Sequence, residues 1–149
     1  MIGSSAGAII AQSLATQGSG PLDTDARVAA VVSLSGVSVM TAEGLQLGRP
    51  SEEAQKLVLG YLGCTSPAQC PQSTAASPVS SVDPSDPPML LVNGTGELVP
   101  QEQAEAMDAA LRAAGVPDEL LVVHAAKHGA SLLNAQVRKR LTSFLNKYL

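Results

Sequence analysis

The chain has 149 residues, 45% hydrophobic and 15% charged, with a net charge of -4 from nine basic and thirteen acidic side chains. That length and apolar content describe one domain able to bury a core, and exclude a disordered chain. Aromatics are only 2%, so the core has to be built from Ala, Val and Leu, and the acidic balance argues against a nucleic-acid surface, which needs clustered Lys and Arg.

The first predicted helix runs from about Ser5 to Gln17, directly after Met1-Ile2-Gly3-Ser4. Ala6, Ile9, Ile10, Ser13 and Leu14 share one face at i, i+3, i+4 spacing and are its expected buried side. Gly18-Ser19-Gly20-Pro21 ends it, and Asp23, Asp25 and Arg27 mark a polar surface turn. Val28–Leu34 is a continuous apolar, β-branched run that reads as a strand buried on both faces. Ser51 is a predicted N-cap for a helix to about Leu62, with Glu52 and Glu53 favourable in its first turn and Gly63 as the stop. Residues 64–88 read as a long surface loop within the domain, holding Cys64, Cys70 and six of the ten prolines.

Met89–Asn93 is the second predicted strand and Gln101–Ala114 the next helix, with Ala104, Met107, Ala110, Leu111 and Ala114 on one face. Glu119–His124 is the third strand. Ser131–Tyr148 is the last helix, striped by Leu133, Val137, Leu141, Phe144, Leu145 and Tyr148. Buried strands alternating with helices predict an α/β fold, a mostly parallel sheet of about three strands flanked by helices. No apolar run approaches the roughly 18 residues of a membrane span, and the start of the chain carries no signal-peptide pattern.

Three places carry chemistry. Gly3-Ser4-Ser5-Ala6-Gly7 reads Gly3-x-Ser5-x-Gly7, the GxSxG nucleophile elbow. In such an elbow Ser sits on a sharp strand-to-helix turn, small neighbours let the chain approach, and the helix N-terminus sets N–H groups beside the hydroxyl. A small-residue helix start without catalytic work fits the same five residues. Asn93-Gly94-Thr95-Gly96-Glu97-Leu98-Val99-Pro100 follows the second strand, and Glu97 is placed either to orient a histidine or to serve as an acid at the start of the next helix. His128 lies in the loop after the third strand, where a general base is needed. The other histidine, His124, sits at the strand end and reads as a packing or solvent-facing residue. The order Ser5, Glu97, His128 is the Ser–acid–His order of α/β-hydrolases.

On these motifs the chain resembles the C-terminal half of an α/β-hydrolase of the carboxylesterase and lipase group. GSSAGAIIAQSLA resembles the elbow and its helix, DPPMLLVNGTGELVP the acid-bearing strand and loop, and AAKHGASLL the histidine loop. The resemblance implies Ser5 as nucleophile, His128 as general base, Ala6 as donor of one oxyanion N–H, and a small-molecule ester as substrate. It implies no metal and no organic cofactor. The family's usual acid is Asp. One alignment puts Glu97 in its place; another puts Gly96 there and leaves the site without an acid. Asp86, ahead of the strand, is a poorer candidate. A prolyl-oligopeptidase-type peptidase shares the triad order, and a non-catalytic relative or a flavodoxin-like binding module stands as the reading outside catalysis.

An elbow at residue 5 further implies a chain truncated just before it, and residues 1–149 as a single partial domain. The leading strands and the loop that supplies a second oxyanion N–H would lie upstream. The expectation is low or no activity for the chain alone, and an unpaired sheet edge that promotes self-association. Cys64 and Cys70 in one loop are a candidate disulfide, and hence point to an exported parent protein.

Overall fold

The structure is a computed structural model, and it describes residues 1–24 and 27–149. Four parallel strands form one sheet in the order of the sequence: β1 (Ile2–Ser4), β2 (Val31–Leu34), β3 (Met89–Gly94) and β4 (Asp118–Val123). The sheet therefore has one strand more than the sequence pattern predicts. Two residues before a glycine carry no readable periodicity, yet Ile2 pairs with Val32, Gly3 with Ser33 and Ser4 with Leu34. Helices α1 (Ala6–Thr16) and α4 (Gln101–Ala114) cross between neighbouring strands, and α5 (Ala135–Tyr148) closes the chain.

Side chains alternate across β2 and β3, so each strand feeds two cores. Val31, Met89 and Leu91 pack with Ala11 and Ala15 of α1 and with Met107 and Leu111 of α4 on one face. Val32, Leu34, Leu90 and Val92 pack with Val137 and Phe144 of α5 on the other. With both faces covered, the two central strands need the continuous apolar runs seen in the sequence. β4 is only half-buried along its length, as an edge strand covered by helices can be.

The buried face of α1 differs from the predicted one. Ala6 is exposed, Ile10 is 49% exposed and Leu14 51%, while Ala8, Ile9, Ala11, Gln12, Ala15 and Thr16 are buried. Apolar residues surround this helix, so their spacing alone does not mark its buried face. A Cβ on Gly3 would lie 2.2 Å from the Gly7 carbonyl oxygen, so β1 and α1 meet backbone to backbone.

Other boundaries shift modestly. The run from Val28 narrows to Val31–Leu34. Of the predicted polar turn, Asp25 lies outside the described residues, whereas Arg27 donates to the Gly20 and Ser85 carbonyl oxygens and ties two loops together. Helix α2 (Glu52–Leu62) starts as predicted, with Ser51 Oγ accepting from the Ala54 N–H, and stops at Gly63 with φ 70°. Residues 64–88 are not all loop: they hold 3-10 turns at Pro67–Gln69 and Pro78–Ser81 and the short helix α3 (Ser73–Ala76). Cys64 and Cys70 are joined by a disulfide. The last helix begins later than predicted because Asn134 caps it, its Oδ1 accepting from the Val137 N–H; residues 129–132 form a separate 3-10 turn. Among the described residues no helix is long and apolar enough to cross a membrane.

Candidate active site

Parallel strands all end on the same side, so the turns after β1, β2, β3 and β4 gather at one sheet edge. Ser5 follows β1, Ser35 follows β2, Glu97 lies in the turn after β3, and His128 lies in the loop after β4. Residues up to 123 positions apart in sequence thereby come within hydrogen-bond range.

Ser5 has φ 55° and ψ -122°, a backbone conformation disfavoured for any residue with a side chain. Holding it costs on the order of 1–3 kcal/mol. The turn is braced by the Ser5 N–H donating to the Leu34 carbonyl oxygen at 2.9 Å and by the close Gly3–Gly7 contact. Of the two flanking glycines, only Gly3 is required by that contact; a Cβ on Gly7 would meet open space. Ala6, the next residue, is in the first turn of α1, where N–H groups lack acceptors within the helix.

Ser5 Oγ lies 2.8 Å from His128 Nε2, and His128 Nδ1 lies 2.5 Å from Glu97 Oε2. All three predicted site residues thus meet in one line. The Glu97 side chain is 1% exposed and that of His128 30%. Burial of a carboxylate requires partners. Besides His128, Glu97 accepts from the Gly94 N–H at 2.8 Å and the Ser35 hydroxyl at 2.7 Å, both through Oε1. The alternative placement, with Gly96 in the acid position, does not describe the turn. Gly96 takes φ 68°, a left-handed turn position that glycine adopts freely, and the next residue delivers the carboxylate. Asp86 is ahead of β3, at the opposite end of a six-residue strand; it lies buried with its Oδ2 accepting from the Asp83 N–H. His124 is exposed.

Ser35 is the residue that sequence reading missed. It closes β2, is fully buried, and has φ 54°. A single serine before a glycine has no motif to mark it.

A cleft of about 110 Å³ begins at Ser5 and Ala6. Ile9, Val37, Leu45, Val58 and Val99 form its walls, and Leu57 and Tyr61 of α2 stand at its rim. None of its lining residues carries a charge. Among the described residues no group of three His, Cys, Asp or Glu is arranged to hold a metal ion.

A parallel sheet covered on both faces, with a GxSxG turn at the C-terminal end of its first strand, defines the chain as part of an α/β-hydrolase fold. Residues 1–111 match the model of the BD-FAE family, an α/β-hydrolase-like esterase domain, and the chain belongs to that family. Among solved structures it is similar to a truncated carbohydrate esterase from gut microbiota (22% identity, TM-score 0.78, covering 99% of this chain and 58% of that one). It is also similar to an acetyl ester-xyloside bifunctional hydrolase from Caldicellulosiruptor lactoaceticus (24% identity, TM-score 0.71, covering 99% and 54%). A third is an acylaminoacyl peptidase from Pyrococcus horikoshii (16% identity, TM-score 0.77, covering 100% and 23%). The chain spans little more than half of the first two and under a quarter of the third. No curated protein matches it.

Proposed function

We propose that the chain carries the catalytic residues of a serine hydrolase that cleaves carboxylic esters. The observation that carries this reading is the unbroken line from Ser5 Oγ through both nitrogens of His128 to buried Glu97. In this reading Ser5 Oγ attacks the ester carbonyl while His128 Nε2 takes its proton. Glu97 holds the Nδ1–H tautomer and stabilises the imidazolium that forms. The Ala6 N–H donates to the oxyanion. His128 then protonates the departing alcohol, and a water molecule repeats the sequence to release the acid and restore Ser5.

The uncharged apolar cleft beside Ser5 supports an ester with an apolar, uncharged group on the side that enters it. Esters of carbohydrates are the first substrates to try, because a carbohydrate esterase and an acetyl ester-xyloside hydrolase share the fold. The acylaminoacyl peptidase neighbour supports a second reading, amide hydrolysis at the same serine. Residues 1–149 serve in this account as one partial hydrolase domain, with Ala6 as the one oxyanion donor assigned. Ile2, 53% exposed on edge strand β1, offers a second copy a place to pair.

The test measures product release from acetylated carbohydrates, nitrophenyl esters and acyl-peptide anilides, each against Ser5→Ala. Ester cleavage that depends on Ser5 supports the esterase reading. Anilide cleavage that depends on Ser5 favours the peptidase. Ester release unchanged by Ser5→Ala contradicts both.

A further inference from the structure

Ser35 has an unusual combination of features: full burial, a left-handed φ of 54°, and a hydroxyl used twice. Its Oγ lies 2.7 Å from Glu97 Oε1 and 2.8 Å from the Gly129 nitrogen. The direction of both bonds is fixed by chemistry. A backbone N–H can only donate and an ionised carboxylate can only accept, so Ser35 takes a hydrogen bond from Gly129 and gives its own proton to Glu97. One hydroxyl therefore links the turn that carries the acid to the loop that carries the histidine. Gly129 is the residue next to His128, so the link acts on the histidine's own backbone.

The histidine loop is held at a second point beside this one. Ser4 Oγ accepts from the Ala130 N–H at 2.9 Å. A Cβ on Gly129 would lie 2.4 Å from that same Ser4 oxygen, and Gly129 takes φ 57°. The loop is thus seated between two serine hydroxyls, one after β2 and one at the end of β1. Only the Ser35 hydroxyl also touches the acid. Glycine would occupy position 35 without backbone strain; what serine adds there is the hydroxyl.

We propose that Ser35 is a positioning residue of the site, whose hydroxyl fixes the Glu97 carboxylate and the His128 loop relative to each other and so holds His128 in the Nδ1–H tautomer. This rests on the triad reading above. With Ser35 in place, Glu97 Oε1 is anchored by two donors and Oε2 is left to face His128 Nδ1. Without it, the carboxylate keeps one donor, Gly94, and is free to turn about that contact, and Gly129 loses its acceptor.

The test reads the ring nitrogens of His128 directly, by proton–nitrogen correlation through the non-exchanging ring protons, in the full chain. It compares the unaltered protein with Ser35→Ala, Ser35→Gly and Glu97→Gln, and uses exposed His124 as an internal reference in each spectrum. Ser35→Ala keeps the strained backbone and removes the hydroxyl; Ser35→Gly removes both, which guards against a fold lost to strain. The expected result is that both Ser35 variants shift the His128 nitrogens from the Nδ1–H tautomer toward a mixture, in the direction set by Glu97→Gln, with His124 unmoved. If Glu97→Gln shifts His128 and neither Ser35 variant does, the role of Ser35 is overturned and the triad reading stands. If only one of the two Ser35 variants shifts it, loss of the hydroxyl, common to both, is not the cause, which also overturns the proposal. If Glu97→Gln itself leaves His128 unmoved, the triad reading fails and Ser35 has nothing to position.

Discussion

Shortening Glu97 to Asp is the sharpest perturbation of the site, because it installs the acid usual in the families this chain resembles. The structure predicts that this change harms the protein. Glu97 Oε2 lies 2.5 Å from His128 Nδ1, and Oε1 lies 2.7 Å from Ser35 Oγ and 2.8 Å from the Gly94 nitrogen. Removing one methylene withdraws the carboxylate by about 1.5 Å, which opens the His128 contact to about 4 Å and breaks it. The turn does not readily follow, since Gly94 is pinned on the other side. A Cβ there would lie 2.5 Å from the Ala125 carbonyl oxygen. Hydrogen bonds to a charged group contribute about 1.5–3 kcal/mol each, and a buried carboxylate stripped of them is destabilising. We expect Glu97→Asp to cost about 2–4 kcal/mol, a fall in Tm of roughly 5–12 °C for a domain of this size. We expect the rate of Ser5 modification by a fluorophosphonate to fall by up to about 10⁴-fold, the loss that follows when the acid of such a triad is disabled. Glu97→Gln, which keeps the length and loses the charge, should retain more stability while losing a comparable rate. The assays are thermal melting and timed mass spectrometry of the intact chain. A Glu97→Asp protein with unchanged Tm and a rate within about threefold of the parent would refute the reasoning.

Three further outcomes follow from other parts of the fold. Gly3→Ala places a methyl group 2.2 Å from the Gly7 carbonyl oxygen, so it should destabilise the chain by at least about 2 kcal/mol by chemical denaturation, whereas Gly7→Ala, into open space, should cost far less. Replacing Cys64 and Cys70 by Ser opens a loop of sequence separation 6 and should cost about 2 kcal/mol, read in the same denaturation experiment with and without reductant. Burial pushes the Asp86 carboxyl up to about 6, against the opposing Asp83 N–H bond. The folded chain then holds this proton more tightly than the unfolded chain does, so the stability it contributes is present in acid and is lost as pH rises through about 6. Between pH 4.5 and 7 the parent should lose stability that Asp86→Asn does not, by about 2 kcal/mol in melts across that range. Asp118, also raised to about 6 by burial and by its neighbour Asp108, leaves a residual slope in the variant.

The parts of the fold legible in the sequence are those where local chemistry and tertiary packing agree. Val31–Leu34 and Met89–Gly94 face cores on both sides, so their composition is mostly apolar. Ser51 and Gly63 bound α2 as capping residues do. The site was legible through its most local feature, GSSAG, and through the placement of Glu97 and His128 after strands. What was not legible is decided by distance. Strand β1 is three residues long and exists through its pairing with β2. The buried face of α1 is not set by the apolar count, since Ile10 and Leu14 are exposed while Gln12 and Thr16 are buried. Whether a carboxylate from this turn reaches His128 depended on the Gly96 φ and the length of the Glu97 side chain. Ser35 acquires its meaning from partners 62 and 94 residues away, and no window on the sequence contains them.

The central claim is that Ser5 is a nucleophile activated by His128. The direct measurement is modification of the chain by a fluorophosphonate, with the site of the adduct mapped by mass spectrometry and its rate compared with that of His128→Ala. The expected result is one adduct per chain, on Ser5, formed at least about 10²-fold faster in the parent than in the variant. An adduct elsewhere, or one on Ser5 formed equally fast without His128, would contradict it.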